Sequence, residues 1–135
     1  MIRLFFVLLF AGWTVSLSGQ NAGPVITWEK ASHDFGDMIQ GEKQEYTFKF
    51  RNTGNTPLII TNVQVTCGCT TPKGWTRDPV NPGQSSELTI AFNSIGKYGR
   101  QNKVITIVSN AVNPEGRQIS FTANVLERKS TVRNP

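Results

Sequence analysis

Both cysteines of this 135-residue chain fall in one octapeptide, VTCGCTTP at 65–72, as Cys67 and Cys69. Two thiols separated by one glycine can do three things: clamp a soft metal, exchange electrons as a disulfide, or pack as small apolar groups. A closed zinc site needs four ligands, and two cysteines with the single histidine, His33, do not supply them. Copper(I) accepts two thiolates, so Cys67 and Cys69 form a possible two-coordinate metal site. A disulfide is geometrically awkward in a straight strand, where residues two apart lie about 6.5–7 Å from each other, but Gly68 can bend the chain. Such a bridge would close a very small ring, gain little entropy and be easily reduced. The preferred reading is plainer. Strand parity through Val63 and Val65 turns Cys67 inward as a small buried residue, and CGC becomes a packed corner.

Other chemistry is sparse. His33 has Asp34 beside it, which in a strand points to the opposite face, so no oriented histidine base is in place. There is no GxSxG elbow, phosphate loop or dinucleotide fingerprint. The expectation is a protein that is not an enzyme and carries no cofactor. Met38 reads as packing. Formal net charge is +5, from 14 basic and 9 acidic residues, and the basic residues are dispersed. Lys97, Arg100 and Lys103, with Tyr98 among them, are the nearest to a cluster. This is too thin for a nucleic-acid stripe and reads as solvated surface.

The elements that must position these residues alternate with period two. EYTFKF sets Tyr46, Phe48 and Phe50 on one face, ELTIAF sets Leu88, Ile90 and Phe92, and QISFTANVL sets Ile119, Phe121, Ala123 and Val125. PLIITNVQV and KVITIVS read as further strands, and PVITWEKASHDF as a first strand broken in its middle. Short turns rich in Gly, Pro and Asn separate them. The prediction is an all-β, immunoglobulin-like β-sandwich of about seven strands, with a barrel as the alternative architecture.

Ahead of the strands, an early Arg3, an apolar run at 4–11 and small residues near Ser16 and Ser18 predict a cleavable signal peptide at 1–20. The apolar run is too short to span a bilayer, so no membrane span is expected. One domain at 24–127 and a polar C-terminal tail at 128–135 complete the expected organisation. The expected location is outside the cytoplasm, periplasmic or secreted.

The run HDFGDMIQGEKQEYTFKFRNTGNTPLIITNVQVTCGCTTP, followed by NPGQSSELTIAFNSIGKYGRQNKVITIVSN, resembles the bacterial domain-of-unknown-function family numbered 1573. The likeness rests on the DFG at 34–36, the GE at 41–42, FKFRNTG, PLII, CGCTTP and the Pro82-Gly83 turn. It implies an immunoglobulin-like fold, related to major sperm protein domains, and carries no assigned activity.

With strands running up and down in order, one end of the sandwich should gather DFGDMIQGE, the close of PLIITNVQV, the loop at 70–83 and NAVNPEG. His33, Asp37, Glu42, Cys67, Cys69 and Trp75 would then share a candidate binding end. Trp75 itself reads first as a lid over the core. The function expected is an exported binding or structural module of the bacterial envelope. It would meet an envelope protein or glycan by end loops or by strand addition at a sheet edge. The alternative is a thiol-based protein using Cys67 and Cys69 for copper(I) or as a labile disulfide.

Overall fold

The computed structural model describes residues 22–129; the expected leader at 1–20 and the tail beyond 129 lie outside the described residues. Eight strands form: β1 (Ile26–Trp28), β2 (Ser32–Ile39), β3 (Lys43–Asn52), β4 (Ile60–Val65), β5 (Thr70–Lys73), β6 (Ser85–Asn93), β7 (Gly99–Ser109) and β8 (Gln118–Leu126). They build two four-stranded sheets, ordered β1-β3-β6-β5 and β2-β8-β7-β4. The only other regular element among the described residues is a 3-10 turn, Pro114–Arg117. The sandwich is as predicted, and the alternating runs supply its inner faces.

Phe48, Leu88, Ile90, Phe92, Ile119, Phe121 and Val125 are essentially inaccessible, as are Phe50 and Met38. Burial of each such side chain stabilises the fold by about 1.5–3 kcal/mol. Tyr46 is the exception among the predicted core residues. It is half-buried, because β1 pairs only with residues 50–52 of β3 and leaves Tyr46 at the open flank of the first sheet.

The first strand is broken, as expected. β1 pairs antiparallel with β3, the chain crosses between sheets at 29–31, and β2 then pairs parallel with β8. The register of β2 shifts between Asp34 and Asp37, a bulge centred on Phe35 and Gly36.

β5 corrects the predicted topology. Residues 70–73 carry Pro72 and look like the start of a loop, yet they pair antiparallel with β6, Thr70 opposite Phe92 and Pro72 opposite Ile90. β5 is an edge strand, where a residue without an N–H can be accommodated. One additional strand reverses the direction of everything after it. NAVNPEG therefore lies at the end opposite the cysteines, and NSIGKYG takes the place predicted for it. The loop at 70–83 does not stay at one end either. It starts beside Phe92 and reaches the other end, where Leu58 and Val80 exchange backbone hydrogen bonds of 2.9 and 2.8 Å.

That other end is closed by asparagines. Asn52 is wholly buried. Its Nδ2 donates to the carbonyls of Thr56 and Val80, both at 2.8 Å, and its Oδ1 accepts from the N–H of Gly54 (3.0 Å) and Val25 (3.3 Å). Gly54 is required there because a Cβ would collide with the Gly23 carbonyl and come within 2.6 Å of the Val25 nitrogen. Asn113 clamps the backbone of Ile26, accepting from its N–H (3.0 Å) and donating to its carbonyl (2.8 Å).

Candidate functional site: the disulfide end of the sandwich

β4 stops at Val65, so strand parity does not extend to Cys67. The chain turns instead, with the Thr70 N–H donating to the Cys67 carbonyl at 3.3 Å. Cys67 and Cys69 are joined by a disulfide across a Cα–Cα distance of 5.3 Å. This corrects the packed-corner reading. Cys67 is half-exposed in the turn, and Cys69 is the residue that packs against the core. The Thr70 hydroxyl is buried and lies 3.7 Å from each sulfur. The corner carries the chain from one sheet to the other, and the Asn93 N–H fixes it by donating to the Cys69 carbonyl at 2.9 Å.

Paired sulfurs are not thiolates, so a copper clamp at Cys67 and Cys69 would require prior reduction. Among the described residues no three His, Cys, Asp or Glu side chains converge as a metal site.

Two further turns complete this end. Ser94, wholly buried, accepts from the Gly41 N–H (3.0 Å) and donates to the Glu42 carbonyl (2.7 Å). Its own N–H also donates to the Glu42 carbonyl at 3.0 Å, which ties the β2–β3 turn to the β6–β7 turn. The Glu42 carboxylate accepts from the Ile39 N–H at 3.2 Å, so Glu42 serves its own turn. The Gln40 side-chain amide donates to the Lys97 carbonyl at 2.9 Å.

On this cross-braced base Ile95 and Tyr98 stand out into solvent, 63% and 68% exposed. Gly96 and Gly99, at φ +71° and +75°, set the backbone bends that hold Lys97 and Tyr98 outward. Ile39 and Leu126, also exposed, lie at the same end. The signal was present in the sequence: NSIGKYG is a turn that carries two large apolar side chains, which a merely connecting turn does not need.

Of the six residues predicted to share one end, Glu42, Cys67 and Cys69 do. Asp37 lies nearby on the outer face of its sheet, its carboxylate accepting from the Asn124 amide at 2.9 Å. His33 does not join them. It sits within β2 opposite Phe121, its ring stacked on Tyr46 at 3.6 Å between centroids and edge-on to Phe35 at 4.8 Å. It bridges the two sheets at the flank where β1 and β2 part. Desolvation there lowers the His33 pKa, against the opposing pull of the Asp34 carboxylate. Asp34 is itself held below its ordinary value, first by the Gly36 N–H and then by the Thr122 hydroxyl. Trp75, past the end of β5, packs half-buried against the core with the Arg77 guanidinium 4.7 Å over its ring. It is a lid, as first read.

The family model described as "Protein of unknown function (DUF1573)" matches residues 26–125. No curated protein sequence matches the chain. A protein of unknown function from Porphyromonas gingivalis W83 is similar in structure, with a TM-score of 0.64 and 24% identity over 81% of this chain. This chain spans 50% of that one. The ASH/PapD-like domain 7 of human CEP192 matches over 91% of this chain and 100% of its own, at TM-score 0.61 and 11% identity. The CARDB domain of the PF1109 protein from Pyrococcus furiosus, solved in complex with di-metal ions, matches over 78% and 96%, at TM-score 0.52 and 17% identity. At such identities the likeness is one of fold.

Proposed function

This chain belongs to the DUF1573 family, and from that premise we propose that it is an exported, non-enzymatic binding or structural module of the bacterial envelope. One observation carries the reading. Ile95 and Tyr98 are held exposed on a turn whose backbone is fixed from below by Ser94 and from the side by Gln40. Exposing large apolar groups costs solvation free energy and invites association, and a rigid presentation lowers the entropy lost on binding. Gln40 and Glu127, which line a shallow depression with Tyr98, and Lys97 on the same turn give the polar rim expected of a recognition patch. An aromatic ring with adjacent amide and ammonium groups suits an envelope protein or a glycan. The same patch does not depend on a histidine, a free thiol or a carboxylate pair, which is why binding fits it better than catalysis.

The export reading rests on the leader-like residues at 1–20 and agrees with an oxidised cysteine pair. Among the described residues no helix is long and apolar enough to cross a membrane.

The test is co-sedimentation of the purified chain with envelope fractions, before and after protease or glycosidase treatment. Ile95→Ser with Tyr98→Ala should abolish retention while leaving the circular dichroism spectrum unchanged. Retention equal to that of the unsubstituted chain would remove this end as the binding surface.

A further inference from the structure

The disulfide has surroundings that a purely structural cross-link does not need. Beside it, Gly68 is exposed, and a Cβ built there meets no heavy atom within 4 Å beyond Cys67 and Cys69 themselves. On its other side, Cys69 lines a surface depression of about 210 Å³ with Lys43, Lys73 and Glu45. Lys73 is paired with Glu45 at 2.6 Å, and among the described residues no carboxylate lies within ion-pair distance of Lys43. The buried Thr70 hydroxyl is within reach of both sulfurs. An approach path, a nearby ammonium and a hydroxyl donor are what a departing thiolate requires.

We infer that Cys67–Cys69 is an exchange-active disulfide that passes oxidising equivalents to a polypeptide carrying two thiols. The incoming thiolate reaches the Cys67 sulfur over Gly68 and forms an intermolecular S–S bond. The Cys67–Cys69 bond breaks as it does so, and its electron pair leaves on the Cys69 sulfur, where the Thr70 hydroxyl and Lys43 stabilise the charge. The partner's second thiol gives its proton to solvent and attacks its own sulfur in the mixed disulfide. Cys67 then departs as a thiolate, and both cysteines of the chain take protons from solvent. The partner has lost two electrons and two protons, and the chain has gained them. Because the loop closed by the disulfide is so short, the fold loses little stability when it opens. This activity is independent of the Ile95 and Tyr98 patch, so either reading can fail without the other.

The experiment follows the folded chain in a buffer of reduced glutathione, and separately with an unstructured peptide bearing two cysteines. Samples are quenched by alkylation and read by intact mass, with circular dichroism recorded in parallel. The expected result is reduction of the disulfide without loss of the β-sheet spectrum, and oxidation of one peptide per chain reduced. Thr70→Val and Lys43→Gln should each slow the exchange about threefold, the effect of roughly a one-unit rise in the leaving thiol's pKa. In a Cys67→Ser background both should also raise the pH midpoint for alkylation of Cys69. Lys103→Gln, a charge loss elsewhere, should do neither. Reduction seen only when denaturant unfolds the chain would overturn the inference. So would a peptide that stays reduced, or rates and midpoints for Thr70→Val and Lys43→Gln that equal those of Lys103→Gln.

Discussion

At one end of the sandwich the amide of Asn52 bonds four backbone groups from three separate segments, and Asn113 clamps Ile26, next to the Val25 that Asn52 holds. At the other end the turns are joined by the Ser94 hydroxyl and the Gln40 amide, beside a disulfide between residues two apart, and Ile95 and Tyr98 are left outside. The asparagine end buries Asn52 in full and closes around it. The disulfide end keeps its turns rigid but leaves their tips to solvent. The first end is therefore the more tightly closed, and the recognition patch proposed above lies at the second, a division that would suit a scaffold bearing a binding tip.

The sharpest way to break this comparison is Asn52→Ala. It strands the Thr56 carbonyl and the N–H groups of Val25 and Gly54, leaves the Val80 carbonyl only its bond from Leu58, and should cost about 3–5 kcal/mol, read as a lower midpoint in urea unfolding. Ser94→Ala, its counterpart at the open end, should cost only about 1–2 kcal/mol. Equal losses would mean that the two ends contribute alike. Replacing both cysteines by serine should cost at most about 2 kcal/mol, since so short a loop restricts the unfolded chain little.

Acid should weaken the fold between the ends. The His33 pKa is lowered in the folded state, so as pH falls below its ordinary value of about 6.5 the unfolded chain binds a proton that the folded chain refuses. Stability is complete above that pH and is lost below it, until the folded histidine also titrates. His33→Phe should flatten this part of a stability-versus-pH curve. Asp34, likewise lowered, gives a loss of the same sign in the more acidic range. The smallest effect belongs to Tyr98→Ala, within about 0.5 kcal/mol of the unsubstituted chain, because the ring touches little of the fold.

Alternation made the sheets legible. Phe48, Leu88, Ile90, Phe92 and Phe121 lie inward because a period of two leaves a half-buried strand no other register. The end proposed for binding was legible only in part, for a local reason. Pro72 disguised an edge strand as a loop, and one uncounted strand carried NAVNPEG to the wrong end and hid NSIGKYG from the right one. The cysteines were misread because parity was continued past Val65, where the backbone had already turned. Asn52 was invisible for the opposite reason. In FRNTGNTP it looks like ordinary turn chemistry, and its burial depends on Val25 and Val80, far away in the chain.

The parallel pairing of β2 with β8 has a consequence for how the molecule comes into being. Ser32 lies against Ser120, and Ile39 against Leu126, so the second strand to be made waits for the last before its sheet can zip. A chain arriving N-terminus first can join β3 to β6 and still hold β2 unpaired, an open template for a neighbour's strand. Assembly should thus finish in a late, slow event, and the hydrogen-exchange protection of Met38 and Val125 should appear together, after that of Phe48 and Leu88.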